Sequence, residues 1–173
     1  MKRLFVLAAF VFIAAIAANA QNKANFAGSW SLDKAKSQGL DQRMADVDVT
    51  WTITQDAKLT IESKTSGGQA PAGGGGGGRG AGGPRSYNLD GTETTTEGGG
   101  QMGGTNTTKA TWSADGKTLE LTSVRTGSFN GNDFKATSTD KLSLSADGKV
   151  LTVARHSESP RGTTDSTWVM NKQ

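Results

Sequence analysis

The chain has 173 residues, of which 24 are Gly, 3 Pro, 1 His and none Cys. That length fits one ordinary domain. The absence of Cys excludes a disulfide framework, a thiolate metal site and a cysteine nucleophile, and a lone His excludes a paired-imidazole metal site. The formal charge of +3 includes Lys2 and Arg3 at the extreme N-terminus.

Met1-Lys2-Arg3 is followed by an almost unbroken apolar run from Leu4 to Ala18, ending in Ala18-Asn19-Ala20. A basic start, an apolar stretch of about 15 residues and an A-x-A ending predict a secretory signal peptide cleaved after Ala20. A membrane anchor would need about 20 apolar residues. Residues 21–173 are then a single exported domain, periplasmic or secreted. Without the leader the charge falls to +1, and the apolar fraction to roughly 27%. The expected core is thin.

The strands follow in order. Alternation of apolar and polar residues at period two marks half-buried strands of an antiparallel sheet. Val47, Val49, Trp51 and Ile53 alternate with Asp48, Thr50, Thr52 and Thr54, and the same pattern recurs around Leu59, Leu119, Leu142 and Leu151. The expected strands are about Gly28–Leu32, Val47–Thr54, Lys58–Lys64, Arg85–Asp90, Thr92–Glu97, Thr105–Ser113, Thr118–Arg125, Phe134–Ser145, Lys149–His156 and Thr164–Asn171. Leu40, Met44 and Val47 are spaced for one short amphipathic helix after the first strand.

Ser113-Ala114-Asp115-Gly116-Lys117 and Ser145-Ala146-Asp147-Gly148-Lys149 are copies of one turn, and Asp-Gly between alternating segments signals a hairpin. Consecutive hairpins of this kind predict a meander. A flat sheet of so many strands leaves costly open edges, so the expected architecture is an all-β, up-and-down antiparallel barrel of about 8–10 strands.

Two segments are not core. Residues 66–84 read SGGQAPAGGGGGGRGAGGP, and residues 98–104 are a smaller echo. Glycine has no side chain to bury and the largest ordering entropy, so both are expected to be flexible loops. The first matches G-x-G-x-x-G by accident and lacks the Lys-Ser/Thr of a phosphate loop. Arg79 and Arg85 beside glycines weakly suggest RNA, but an exported protein has little occasion to meet it, and no nucleic-acid partner is expected.

Asn25-Phe26-Ala27-Gly28-Ser29-Trp30 carries the G-x-W element, preceded by an aromatic residue. With it the chain resembles the calycin superfamily of lipocalins and fatty-acid-binding proteins. It is most similar to bacterial exported lipocalin-like domains, through Ala35-Lys36-Ser37 and the hairpin Leu144–Val153. The resemblance implies that Phe26, Gly28 and Trp30 close one end of the barrel. A cation near the C-terminal end would stack on Trp30, with Lys172, Arg155 and Arg161 as candidates. The Arg-x-Tyr carboxylate clamp of the fatty-acid-binding branch is missing, because the matching positions are Trp168 and Met170.

No residue pattern here demands catalysis. His156 beside Ser157 reads as a solvated strand end, each Asp-Gly loop offers one carboxylate where calcium needs several, and Asp46 with Asp48 reads as an outer edge. No enzyme activity, metal or cofactor is expected. The leading expectation is a soluble exported module binding a small apolar or amphipathic ligand in the barrel, lined by Trp51, Ile53, Trp112, Leu121, Val153, Trp168 and Met170. Two alternatives stand. One is an interaction barrel with a filled core whose Gly-rich loop captures a protein partner; the other, weaker one is a small outer-membrane barrel.

Overall fold

The computed structural model describes residues 23–67, 83–97, 103–129 and 131–173. The leader and the middle of the Gly-rich loop 66–84 lie outside the described residues.

Ten strands form one antiparallel sheet: β1 (Gly28–Leu32), β2 (Asp48–Gln55), β3 (Lys58–Ser66), β4 (Arg85–Asn88), β5 (Thr94–Glu97), β6 (Thr105–Trp112), β7 (Thr118–Phe129), β8 (Asn132–Leu144), β9 (Val150–Ser159) and β10 (Gly162–Lys172). Their order around the sheet is β4-β3-β2-β1-β10-β9-β8-β7-β6-β5. Every neighbour is the next strand in sequence except β1 and β10, whose pairing of Leu32 with Met170 and Trp30 with Lys172 joins the two ends of the chain. The result is a nearly closed up-and-down barrel. A seam remains between β4 and β5, which share no ladder; it is bridged by a Thr108 hydroxyl donating to the Ser86 carbonyl at 3.2 Å and by Asn88 donating to the Thr94 hydroxyl at 2.9 Å.

The expected helix is reduced to a single 3-10 turn, Gln42–Met44. The reason lies in the preceding residues. Gln38 exchanges backbone hydrogen bonds with Thr167 of β10 at 2.8 and 2.9 Å, which leaves too few residues to repay helix nucleation. Gly39 makes this possible: at φ +64° it passes so close to the Asp165 carbonyl that a Cβ would collide. Leu40, Met44 and Val47 still pack on the core, partly buried, as their apolar character requires.

One end of the barrel, the base, is sealed. Its two copied turns are built alike. The Ser113 hydroxyl donates to Asp115 at 2.6 Å while Asp115 accepts from the Lys117 amide, and Ser145, Asp147 and Lys149 repeat the pattern. These bonds hold both carboxyls below their usual pKa, the serine hydroxyl contributing most. The N-terminal segment crosses under the base, where Ala24 donates to the Gly116 carbonyl at 2.8 Å and Gln55 bonds both Phe26 and Ala24. The other end, the mouth, carries the β7–β8 and β9–β10 hairpins and the 33–47 crossing.

Candidate functional site: the barrel interior

Cross-strand partners point to the same face of a sheet, so the register defines rungs across the inner wall. A rung near the base links Leu144, Leu151, Met170 and Leu32. Above it run Trp112, Leu119, Leu142, Val153 and Trp168, then Ala110, Leu121, Asp140, Arg155 and Ser166. The next rung is all hydroxyl: Thr108, Ser123, Ser138, Ser157 and Thr164. Asn106, Arg125 and Ala136 follow toward the mouth. The interior therefore changes from apolar to charged to hydroxylated within a few residues.

Of the ligand-lining residues expected from the sequence, Val153, Trp168 and Met170 fall in the apolar rungs and Leu121 in the charged one. Trp51, Ile53, Leu121, Val153, Trp168 and Met170 all point inward and are at most 6% exposed. Trp51 and Trp168 meet at 5.7 Å between ring centroids and form a floor beneath the polar rungs. Trp112 stands apart at the base, partly buried, stacked on Phe26 at 6.0 Å and with Lys23 against its ring. Its buried indole N–H has no acceptor among the described residues.

Phe26, Gly28 and Trp30 lie together at the base. Phe26 and Trp30 are fully buried, and the Trp30 indole donates to the Phe26 carbonyl at 2.9 Å. Of the three candidate cations, Lys172 covers Trp30, with its ammonium 5.4 Å from the ring. The Lys172 stem lies 3.1 Å from where a Cβ on Gly28 would stand, so a side chain there would push the lysine aside. Arg155 lies over Trp168 instead, and Arg161 sits in the β9–β10 turn at the mouth.

Sequence reasoning missed the charged rung. Asp140 is 3% exposed and accepts a bidentate pair from Arg155, Nε and Nη2 each at 2.6 Å. Burial disfavours the Arg155 charge, but the bonds and charge of Asp140 outweigh it and raise the guanidinium pKa. Arg85, from β4, comes no nearer to Asp140 than 4.0 Å and lies over the Trp51 ring at 5.7 Å. Tyr87 lies buried beside this group, and burial pushes its phenol pKa up. The missed signal was alternation itself. Arg155 follows Leu151 and Val153 at two-residue spacing, and Asp140 precedes Leu142 by two.

No family model and no curated protein matches the chain. Among solved structures, the zebrafish ileal bile acid-binding protein complexed with cholic acid is similar to it at 12% identity, over 86% of this chain and 98% of that one, with a TM-score of 0.37. The barrel assignment rests on the strand register, not on this likeness.

The outer wall carries a separate feature. A groove of about 440 Å³ lies where Gln38 pairs alongside β10, lined also by Gly39, Thr139, Lys141, His156, Asp165 and Thr167. His156 is held between Asp165 at 2.7 Å and Glu158 at 3.3 Å, and these carboxylates, Asp165 first, raise its pKa. Strand alternation turns Ser157 inward, to the Ser138 hydroxyl at 3.4 Å. His156 and Ser157 thus lie on opposite faces of the wall. Asp48 is exposed and pairs with Lys34 at 3.0 Å.

Proposed function

We propose that the chain is an exported, non-catalytic binding module that holds a small amphipathic molecule in the upper half of its barrel. One observation carries this reading: a sealed apolar base meets, at the Trp51–Trp168 floor, a wall of hydroxyls and arginines that faces the mouth. Side chains fill the base, where Leu119, Leu142, Leu151 and Met170 are fully buried, so the ligand sits above it, against the polar rungs. The outward strand positions support a protein surrounded by water in the periplasm or outside the cell. They carry Glu120, Lys135, Lys141, Glu158 and Asp165, where a membrane barrel presents an apolar band. The leader expected at residues 1–20 provides the export route. No cofactor, metal or nucleic acid enters this reading.

A second reading is favoured by the outer groove. There the barrel is a filled scaffold, and a protein partner docks on the wall or through the Gly-rich loop.

The test is native mass spectrometry of protein purified from its own compartment, followed by titration with the neutral dye N-phenyl-1-naphthylamine. Interior binding predicts a co-purifying small molecule that the dye displaces. Absence of both, with a partner retained on the outer wall, transfers the function to the second reading.

A further inference from the structure

The contact between the 33–47 crossing and β10 runs through three residues and ends at Asp165. The Ser37 hydroxyl accepts from the Val169 amide at 2.9 Å, and Gln38 and Thr167 exchange backbone bonds at 2.8 and 2.9 Å. Gly39 then lies against the Asp165 carbonyl so closely that no Cβ fits. The side chain of Asp165 turns to the outer face and meets His156 Nδ1 at 2.7 Å, directly across the β9–β10 ladder. Asp165 therefore touches the crossing with its backbone and β9 with its carboxylate.

His156 has an anion at each ring nitrogen, with Glu158 at 3.3 Å from Nε2. Carboxylates only accept, so both contacts are hydrogen bonds only when the ring carries two protons. The neutral ring has one N–H and one lone pair. Whichever carboxylate keeps the proton, the other faces the lone pair. The neighbouring charges are committed elsewhere. Lys141 of β8 pairs with Glu120 of β7 at 3.5 Å, and Arg155 turns to the inner face and bonds Asp140 at 2.6 Å. Thr139 of β8, Thr163 and Thr167 of β10, and Gln38 and Gly39 of the crossing carry no titrating group. Asp33, where the crossing begins, is held below its usual pKa by Asn171 first and then by Lys36, so it stays ionised at neutral pH. A proton lost from His156 thus leaves Asp165 and Glu158 without the cation between them.

We propose that His156 is a proton-operated clasp on the crossing. Charged, it gathers Asp165 and Glu158 around one ring and firms the stretch of β10 on which Gly39 rests. Neutral, it releases one carboxylate, and the crossing parts from β10 more often. The two carboxylates raise the pKa of the ring, Asp165 first, so the change falls above the ordinary imidazole value near pH 6.5. All three side chains are exposed, which keeps the effect small: about two- to fivefold in the frequency of opening, the range of a surface ion pair. Because the crossing lies at the mouth, the clasp sets how firmly that end is braced. This holds whatever the barrel contains, and the test needs no ligand.

The reporters are the backbone amides of Gln38 and Thr167, which bond each other's carbonyls across the contact. Their hydrogen exchange is followed by NMR in the full mature chain from about pH 5.5 to 8.5, corrected for the intrinsic rate at each pH. Opening should rise about two- to fivefold across this range, with its midpoint where the His156 ring resonances titrate in the same samples. The amides of Leu142 and Leu151, in the base, should show no such step. His156→Gln is uncharged at every pH and should stay flat at the high-pH level. His156→Lys is cationic throughout and should stay flat at the low-pH level. No step in the unmodified protein overturns the clasp. A step that persists in His156→Gln overturns the assignment to His156. A step of equal size in the base amides marks a change in the stability of the whole barrel and overturns the clasp as well.

Discussion

The two halves of the barrel are made from the same strands but held by different physics. In the base, inward positions are Leu, Ile, Met, Trp and Phe, most of them fully buried, and stability comes from removing apolar area from water. In the upper half the same strands turn Ser, Thr, Asn and Arg inward. That wall gains almost nothing from burial and persists because it continues ladders anchored below. A small domain with few apolar residues can thus keep one half to fold and free the other for chemistry.

This contrast is sharpest at Asp140, where the halves meet. Asp140→Asn removes the partner of a buried guanidinium and should cost about 3–5 kcal/mol in urea unfolding, the usual result of orphaning one member of a buried pair. Replacing Asp140 and Arg155 together with leucines should cost less than that single change. A double variant worse than the single would show that the polar rung supports the fold in its own right. In the base, Leu142→Ala should cost about 2–5 kcal/mol, whereas Ser138→Ala, four residues away and also inward, should change stability by no more than about 0.5 kcal/mol. Equal losses at the two positions would erase the division.

A smaller effect is expected where the 33–47 crossing pairs with β10. Gly39→Ala places a Cβ against the Asp165 carbonyl at positive φ and should cost more than about 1 kcal/mol by the same measurement. The smallest effects are electrostatic. The raised pKa of His156 makes its contribution fully present below the ordinary imidazole value near pH 6.5, and lost as pH rises through the folded value. The lowered pKa values of Asp115 and Asp147 act in the opposite sense: their contribution is present above the ordinary carboxylate value and lost as pH falls through the folded ones. Melting temperature followed against pH should therefore lose its alkaline slope in His156→Gln and part of its acid slope in Asp115→Asn with Asp147→Asn.

The base was legible in the sequence because period-two alternation is written in apolar residues. Leu119 with Leu121 and Leu151 with Val153 placed β7 and β9 and fixed which face is inner. The upper half was not legible for the same reason. Thr126–Phe129 and Ser157–Ser159 carry almost no apolar alternation, so β7 was expected to end at Arg125 and β9 at His156, whereas both run on toward the mouth. The β6–β7 and β8–β9 turns were readable from Asp-Gly alone. The helix was not, because spacing at Leu40, Met44 and Val47 records which side faces the core and not whether the backbone is free to coil; that depends on Gln38 pairing with Thr167, 129 positions away in sequence. The charged rung fell between these cases: its positions followed from alternation, but an ionisable residue on an apolar stripe reads as an irregularity until its partner across the sheet is known.

The unladdered line between β4 and β5 gives the cylinder a preferred direction of breathing. Elsewhere, parting two strands means breaking a row of amide bonds; here two side-chain bridges yield first. Hydrogen–deuterium exchange should run fastest at Arg85–Asn88 and Thr94–Glu97 and slowest along β8, which is paired on both flanks.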